Sequence, residues 1–95
     1  MNLVQGIPFK HTNITVSTDI EGSTEEYDVI GARPGDSVLL NIIGQDSRLR
    51  FEPSVETNDK VKVKYHFNRD EDQQQDNITN TGLTLCGVVF LSEER

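Results

Sequence analysis

Lys60-Val61-Lys62-Val63-Lys64-Tyr65-His66-Phe67 alternates between polar and apolar side chains along its whole length. A period of two belongs to an extended strand, whose successive side chains point to opposite faces. Val61, Val63, Tyr65 and Phe67 therefore share a face that must be buried, while Lys60, Lys62, Lys64 and His66 share a face suited to water. A strand with one wet face belongs to an antiparallel sheet covered on one side.

The same pattern extends in both directions. Upstream, Leu49 and Phe51 point one way and Arg48, Arg50 and Glu52 the other, with Pro53 marking a sheet edge and Thr57-Asn58-Asp59 a turn. Ser37 to Ile43 is apolar on both faces, the pattern of a strand sandwiched between layers. Glu26 to Ile30 and Asn13 to Ser17 read as two further short strands. Downstream, Asn68 to Asn77 is polar and acidic and reads as a mobile loop. Leu83 to Leu91, again apolar on both faces, reads as a central closing strand. No helical periodicity appears. The fold class is all-β: a small antiparallel β-sandwich, jelly-roll or Ig-like, of about six to eight strands.

Residues 1–11 stand apart from the single domain expected over 12–95. Leu3, Val4, Ile7 and Phe9 are apolar, but Gly6 and Pro8 interrupt them, so a continuous strand is not expected. The segment is either an edge piece of its own sandwich or an arm that docks on a neighbour.

The chain has 95 residues, a formal net charge of −7 and 34% hydrophobic residues. A domain of this size buries only about two-thirds of the surface its unfolded chain exposes, so its core is thin and assembly would supplement it. The acidic balance argues against nucleic acid as a partner. No apolar run approaches a membrane span, and the N-terminus lacks the basic-then-apolar pattern of a signal peptide. One cysteine, Cys86, allows no internal disulfide and no cysteine zinc site, and fits a reducing compartment.

Candidate chemistry is sparse. His66 shares its face with three lysines, and nothing in the sequence brings His11 to it with a carboxylate, so no metal or other cofactor is expected. Asp70-Glu71-Asp72 with Asp76 lacks the spacing of a calcium loop and reads as a hydrated acidic run. Cys86, in the most apolar strand, reads as a small hydrophobe. No nucleophile motif or phosphate loop points to an enzyme or to a small-molecule substrate. The lysine face suits a solvated, guarded surface. Facing Glu25 and Glu26 of another copy, Lys60, Lys62 and Lys64 would set the register of an oligomer interface.

Gly31-Ala32-Arg33-Pro34-Gly35-Asp36-Ser37-Val38 is a turn running into a strand, with Pro34 presetting φ and Gly35 free to take a positive one. This segment resembles one in small β-sandwich virion proteins of tailed bacteriophages: head decoration (cement) proteins, head fibres and tail-fibre tips. The similarity continues through Asp59 to Tyr65, Gly82 to Leu85 and Gly87 to Leu91, spanning residues 12–91. It carries structural positions and no functional residue.

The resemblance implies a non-enzymatic protein, a homotrimer whose partner is the major capsid protein. It would be made in the host cytoplasm and reside on the capsid surface of the virion. The chain shows no shaft repeat or coiled-coil heptad, and 95 residues beginning at Met1 suit a decoration protein better than a fibre tip. Attachment is expected through Leu3, Val4, Ile7 and Phe9 and one end-loop of the sandwich. Phe51, Tyr65, Phe67 and Phe90 are expected in the core or a subunit interface. The alternative, a receptor- or carbohydrate-binding module of a fibre or tail tip, requires a platform of exposed aromatics.

Overall fold

The alternation that opens at Lys60 gives the strand at the centre of one of two sheets. A computed structural model describes residues 5–19, 21–44, 49–67 and 77–92, with the side chains of residues 77 and 78 excepted. Leu3, Val4 and the acidic stretch from Asn68 to Asp76 lie outside the described residues. Six strands follow in chain order: β1 (Gly6–Asp19), β2 (Ser23–Asp28), β3 (Ser37–Ile43), β4 (Leu49–Ser54), β5 (Lys60–Phe67) and β6 (Asn77–Phe90). They form two three-stranded antiparallel sheets, ordered β1-β6-β3 and β2-β5-β4, packed face to face as a small all-β sandwich.

Val61, Val63, Tyr65 and Phe67 of β5 are all buried, as the alternation requires. Leu83, Leu85 and Val89 of β6 meet them from the opposite sheet, with Val16, Ile42, Leu49 and Val55 around them. Each large apolar side chain withdrawn from water contributes about 1.5–3 kcal/mol, which the ordering of the chain largely offsets. Among the described residues three hydrogen bonds join β1 to the other sheet: Thr18 Oγ1 to Tyr65 O at 3.2 Å, His11 Nε2 to Asp28 O at 3.1 Å, and Ser23 Oγ to Ser17 O at 3.2 Å.

β1 is continuous where the sequence suggested an interruption. Gly6 to His11 pair residue by residue with Phe90 to Leu85. Pro8 is tolerated because β1 is an edge strand, where a missing N–H need not break a ladder. Ile7 and Phe9 are half-buried against the core, and so is Ile14, although it has the opposite parity. A register shift between His11 and Ile14, with Asn13 at φ 56°, adds one residue to β1 and turns both sets inward.

Three other expectations are revised. The closing strand runs over Asn77–Phe90 rather than 83–91, because residues 77–80 pair with Asp19 to Val16 of β1, and Asn77 is therefore strand and not loop. The second strand covers Ser23–Asp28 rather than 26–30: Val29 still bonds across to Asp59, but its carbonyl accepts the Ala32 N–H at 3.1 Å in a turn that carries Ile30 out of the ladder. β3 and β6 are apolar on both faces, yet the sandwich has only two layers among the described residues. Their second apolar faces point out of the β1-β6-β3 sheet instead of into another layer.

Candidate functional site

The Gly31–Asp36 turn lies at one end of the sandwich and is fixed from three directions. Asp59, itself at φ 64°, accepts the Gly31 N–H through Oδ1 at 2.8 Å and donates its own N–H to Ala32 O at 2.8 Å. Asp36 closes the turn by accepting the Arg33 N–H through Oδ2 at 3.0 Å, and through Oδ1 it accepts the Ser92 N–H at 2.8 Å. Ala32 is fully buried beneath. Gly31 and Gly35 take φ of 101° and 95°, conformations that side chains other than glycine rarely adopt.

The N-terminal strand begins at this same end. Leu91 donates its N–H to Gln5 O at 2.9 Å, and the Ile7 side chain lies close over Gly31, where a methyl group would meet Ile7 Cδ1 at 2.8 Å. The two elements expected to attach, the N-terminal segment and an end-loop, are thus neighbours. Projecting from the fixed turn is Ile30, 77% exposed. Ile30, expected at the end of a strand, belongs to the turn, and the sequence signal for this is Gly31 directly after it.

The outer face of the β1-β6-β3 sheet is a second candidate surface. Thr84, Cys86, Val88 and Phe90 run down its centre, half-exposed, with Ser37, Leu39, Asn41 and Ile43 on one flank and Gly6, Pro8 and Lys10 on the other. Leu39 is 64% exposed and Ile43 56%. Lys10 is the one charged side chain in this set. Cys86 therefore points outward and not into the core.

The opposite outer face, on the β2-β5-β4 sheet, is a ladder of charges. Lys60 pairs with Asp28, and Lys62 with Glu56 at 2.8 Å. In the strand register Glu26 stands opposite Lys62 and Glu52 opposite Lys64. The acids foreseen across an interface between copies, Glu26 among them, thus flank the lysines within one chain, while Glu25 has the other parity and stands opposite Val63. The Asp28 carboxyl is held below the usual carboxylate range by its hydrogen bond to Lys60, and the Lys60 and Lys62 ammonium groups are raised by their carboxylate partners. Exposed pairs of this kind contribute little to stability, because water screens both charges.

The aromatic side chains mostly face inward. Tyr65 is fully buried and shares a 2.8 Å hydrogen bond with the Tyr27 hydroxyl. Burial drives the Tyr65 phenol far above the ordinary tyrosine range, and burial also raises Tyr27. His11 packs between Phe9 and Tyr27, with ring centroids 6.5 and 5.6 Å away. Because a carbonyl can only accept, His11 Nε2 carries the proton in its bond to Asp28 O. His66 lies on the lysine face of β5, so the structure does not bring the two histidines together. Among the described residues no group of three His, Cys, Asp or Glu side chains is placed to hold a metal ion.

Comparisons with protein-family models, curated proteins and solved structures find no match to this chain.

Proposed function

We propose that this protein is a non-enzymatic decoration protein of a tailed-phage head, a homotrimer that binds the major capsid protein of the assembled shell. After synthesis in the host cytoplasm it would sit on the capsid surface of the virion. The observation that carries this reading is the placement of Ile30: a large apolar side chain exposed on a turn fixed by Asp36 and Asp59, next to the start of the N-terminal strand. A rigid loop loses little conformational freedom on docking, so a small contact can bind usefully. Many copies on equivalent sites would then stabilise a shell although each contact is modest.

The fibre-tip alternative draws less support from the side chains. Tyr65 and Phe67 are buried, and Phe9, Tyr27 and Phe51 pack against the core, which leaves Phe90 as the single described aromatic facing outward, too little for a platform.

The test is co-sedimentation with purified phage heads that lack the protein. Ile30→Asp and removal of residues 1–4, which leaves Gln5 and its bond to Leu91 in place, are each expected to weaken binding by about tenfold or more, the equivalent of ~1.4 kcal/mol. Thermal unfolding of both variants should match the unaltered chain. Undiminished sedimentation of both variants would overturn this attachment surface, and no sedimentation of the unaltered protein would overturn the function.

A further inference from the structure

We infer that the outer face of the β1-β6-β3 sheet is the surface by which copies of this chain pack against one another, around an axis running along the strands. The inference takes the oligomeric nature of the protein from the reading above; the choice of surface comes from the face itself.

Charge is the first reason. Copies carrying a net charge of −7 repel one another, and that repulsion is weakest across a surface with few acids. The outward residues of this face from Gly6 to Lys10, Ser37 to Ile43 and Thr84 to Phe90 include no acid and one cation, Lys10. The lysine face is a poorer candidate, because Asp28 and Glu56 already pair with Lys60 and Lys62 within the chain.

Relief is the second reason, and it selects the axis. The β3 flank is high, with Leu39 and Ile43 standing in solvent. The β1 flank is low: it offers Gly6 and Pro8, and Val88 leans over Gly6 so closely that a methyl group there would meet Val88 Cγ1 at 2.6 Å. Rotation about an axis parallel to the strands sets the β3 flank of one copy against the β1 flank of the next and keeps the levels aligned. Leu39 and Pro8 share a level, both being paired with Val88; Asn41 and Lys10 share the level of Cys86. The ridge thus meets the low flank, and the one cation meets an amide rather than another cation. An axis across the strands would bring like flanks together and lose both matches. Cys86, Val88 and Phe90 then lie nearest the axis.

The face is small. Three strands about 4.8 Å apart and seven residues of about 3.3 Å give roughly 330 Å² of flat area. A standard stable interface buries about 800 Å² per partner, so association through this face should be reversible and concentration-dependent.

Sedimentation equilibrium from about 10 μM to about 1 mM, the range in which weak interfaces are populated, tests the inference. The unaltered chain should assemble, and Leu39→Glu/Ile43→Glu should raise the concentration needed by about tenfold or more. Lys62→Glu/Lys64→Glu, on the opposite face, should leave it unchanged. Because Cys86 is the sole cysteine, a short bis-maleimide should bridge copies of the unaltered chain and not of the Leu39/Ile43 variant. Circular dichroism and thermal unfolding establish that each variant is folded. A monomer throughout the range, or an assembly indifferent to Leu39→Glu/Ile43→Glu, overturns the inference. A monomer that still binds heads overturns this inference and the trimeric state while leaving head decoration standing, whereas an assembly built on this face that fails to bind heads overturns head decoration alone.

Discussion

Phe9 and Gly87 stand directly opposite each other in the β1–β6 ladder, and the Phe9 ring occupies the space a side chain at position 87 would fill. A methyl group on Gly87 would lie 2.9 Å from Phe9 Cζ and overlap the Leu39 carbonyl oxygen. This contact adds side-chain packing to the ladder that joins the N-terminal half of β1 to β6. Gly87→Ala should therefore destabilise the fold by about 1–3 kcal/mol through overpacking. Phe9→Ala should cost a similar amount, below the full value of a buried phenylalanine because its ring is half-exposed. Urea unfolding measures both, and a loss under about 0.5 kcal/mol, as at an ordinary surface site, would show that β1 does not depend on this contact.

Asp36 is buried and accepts backbone N–H groups from the turn and from Ser92 at once. Asp36→Ala leaves those donors without their acceptor, at a cost of about 1–3 kcal/mol. The same variant should loosen Ile30 and weaken head binding, while Arg33→Ala, an exposed neighbour, should alter stability by no more than about 0.5 kcal/mol. Equal unfolding midpoints for Asp36→Ala and the unaltered chain would refute this role.

Alkali should unfold the protein through Tyr65. Above about pH 10 the unfolded chain releases this phenolic proton, whereas the folded chain, with the hydroxyl buried, retains it. The folded state then binds more protons, so stability present below that pH falls as pH rises, by at most ~1.4 kcal/mol per pH unit for this one group. Denaturation between about pH 9 and about pH 11 should show a shallower fall for Tyr65→Phe than for the unaltered chain. Parallel curves would mean that Tyr65 ionises without unfolding.

Asn13 carries the β1 bulge in a left-handed conformation, φ 56°, which a β-branched residue adopts only with strain. Asn13→Val should destabilise by roughly 1–2 kcal/mol, and Asn13→Gly should be close to neutral. Thermal unfolding of the two variants checks the order; equal midpoints would mean that the bulge can move along the strand.

Much of the architecture was legible without coordinates. Strict alternation at Lys60–Phe67 determines which side chains are buried, since a one-residue slip would expose Tyr65 and bury lysines. The Gly31–Asp36 turn was legible for an equally local reason: proline and glycine restrict or extend φ whatever surrounds them. Contacts distant in sequence decided the rest. Ile7 and Phe9 have the wrong parity for the face of Ile14 and Val16, and only the bulge at Asn13 reconciles them, which alternation alone does not reveal. The second apolar face of β3 and β6 looks the same in sequence whether a third layer or solvent covers it. Tertiary structure decided that it faces out, placed Ile30 at the tip of a fixed turn, and paired Lys60 and Lys62 with acids of the same chain. The sequence determined each strand's faces because side-chain direction follows from backbone period; what each face meets is a matter of long-range packing.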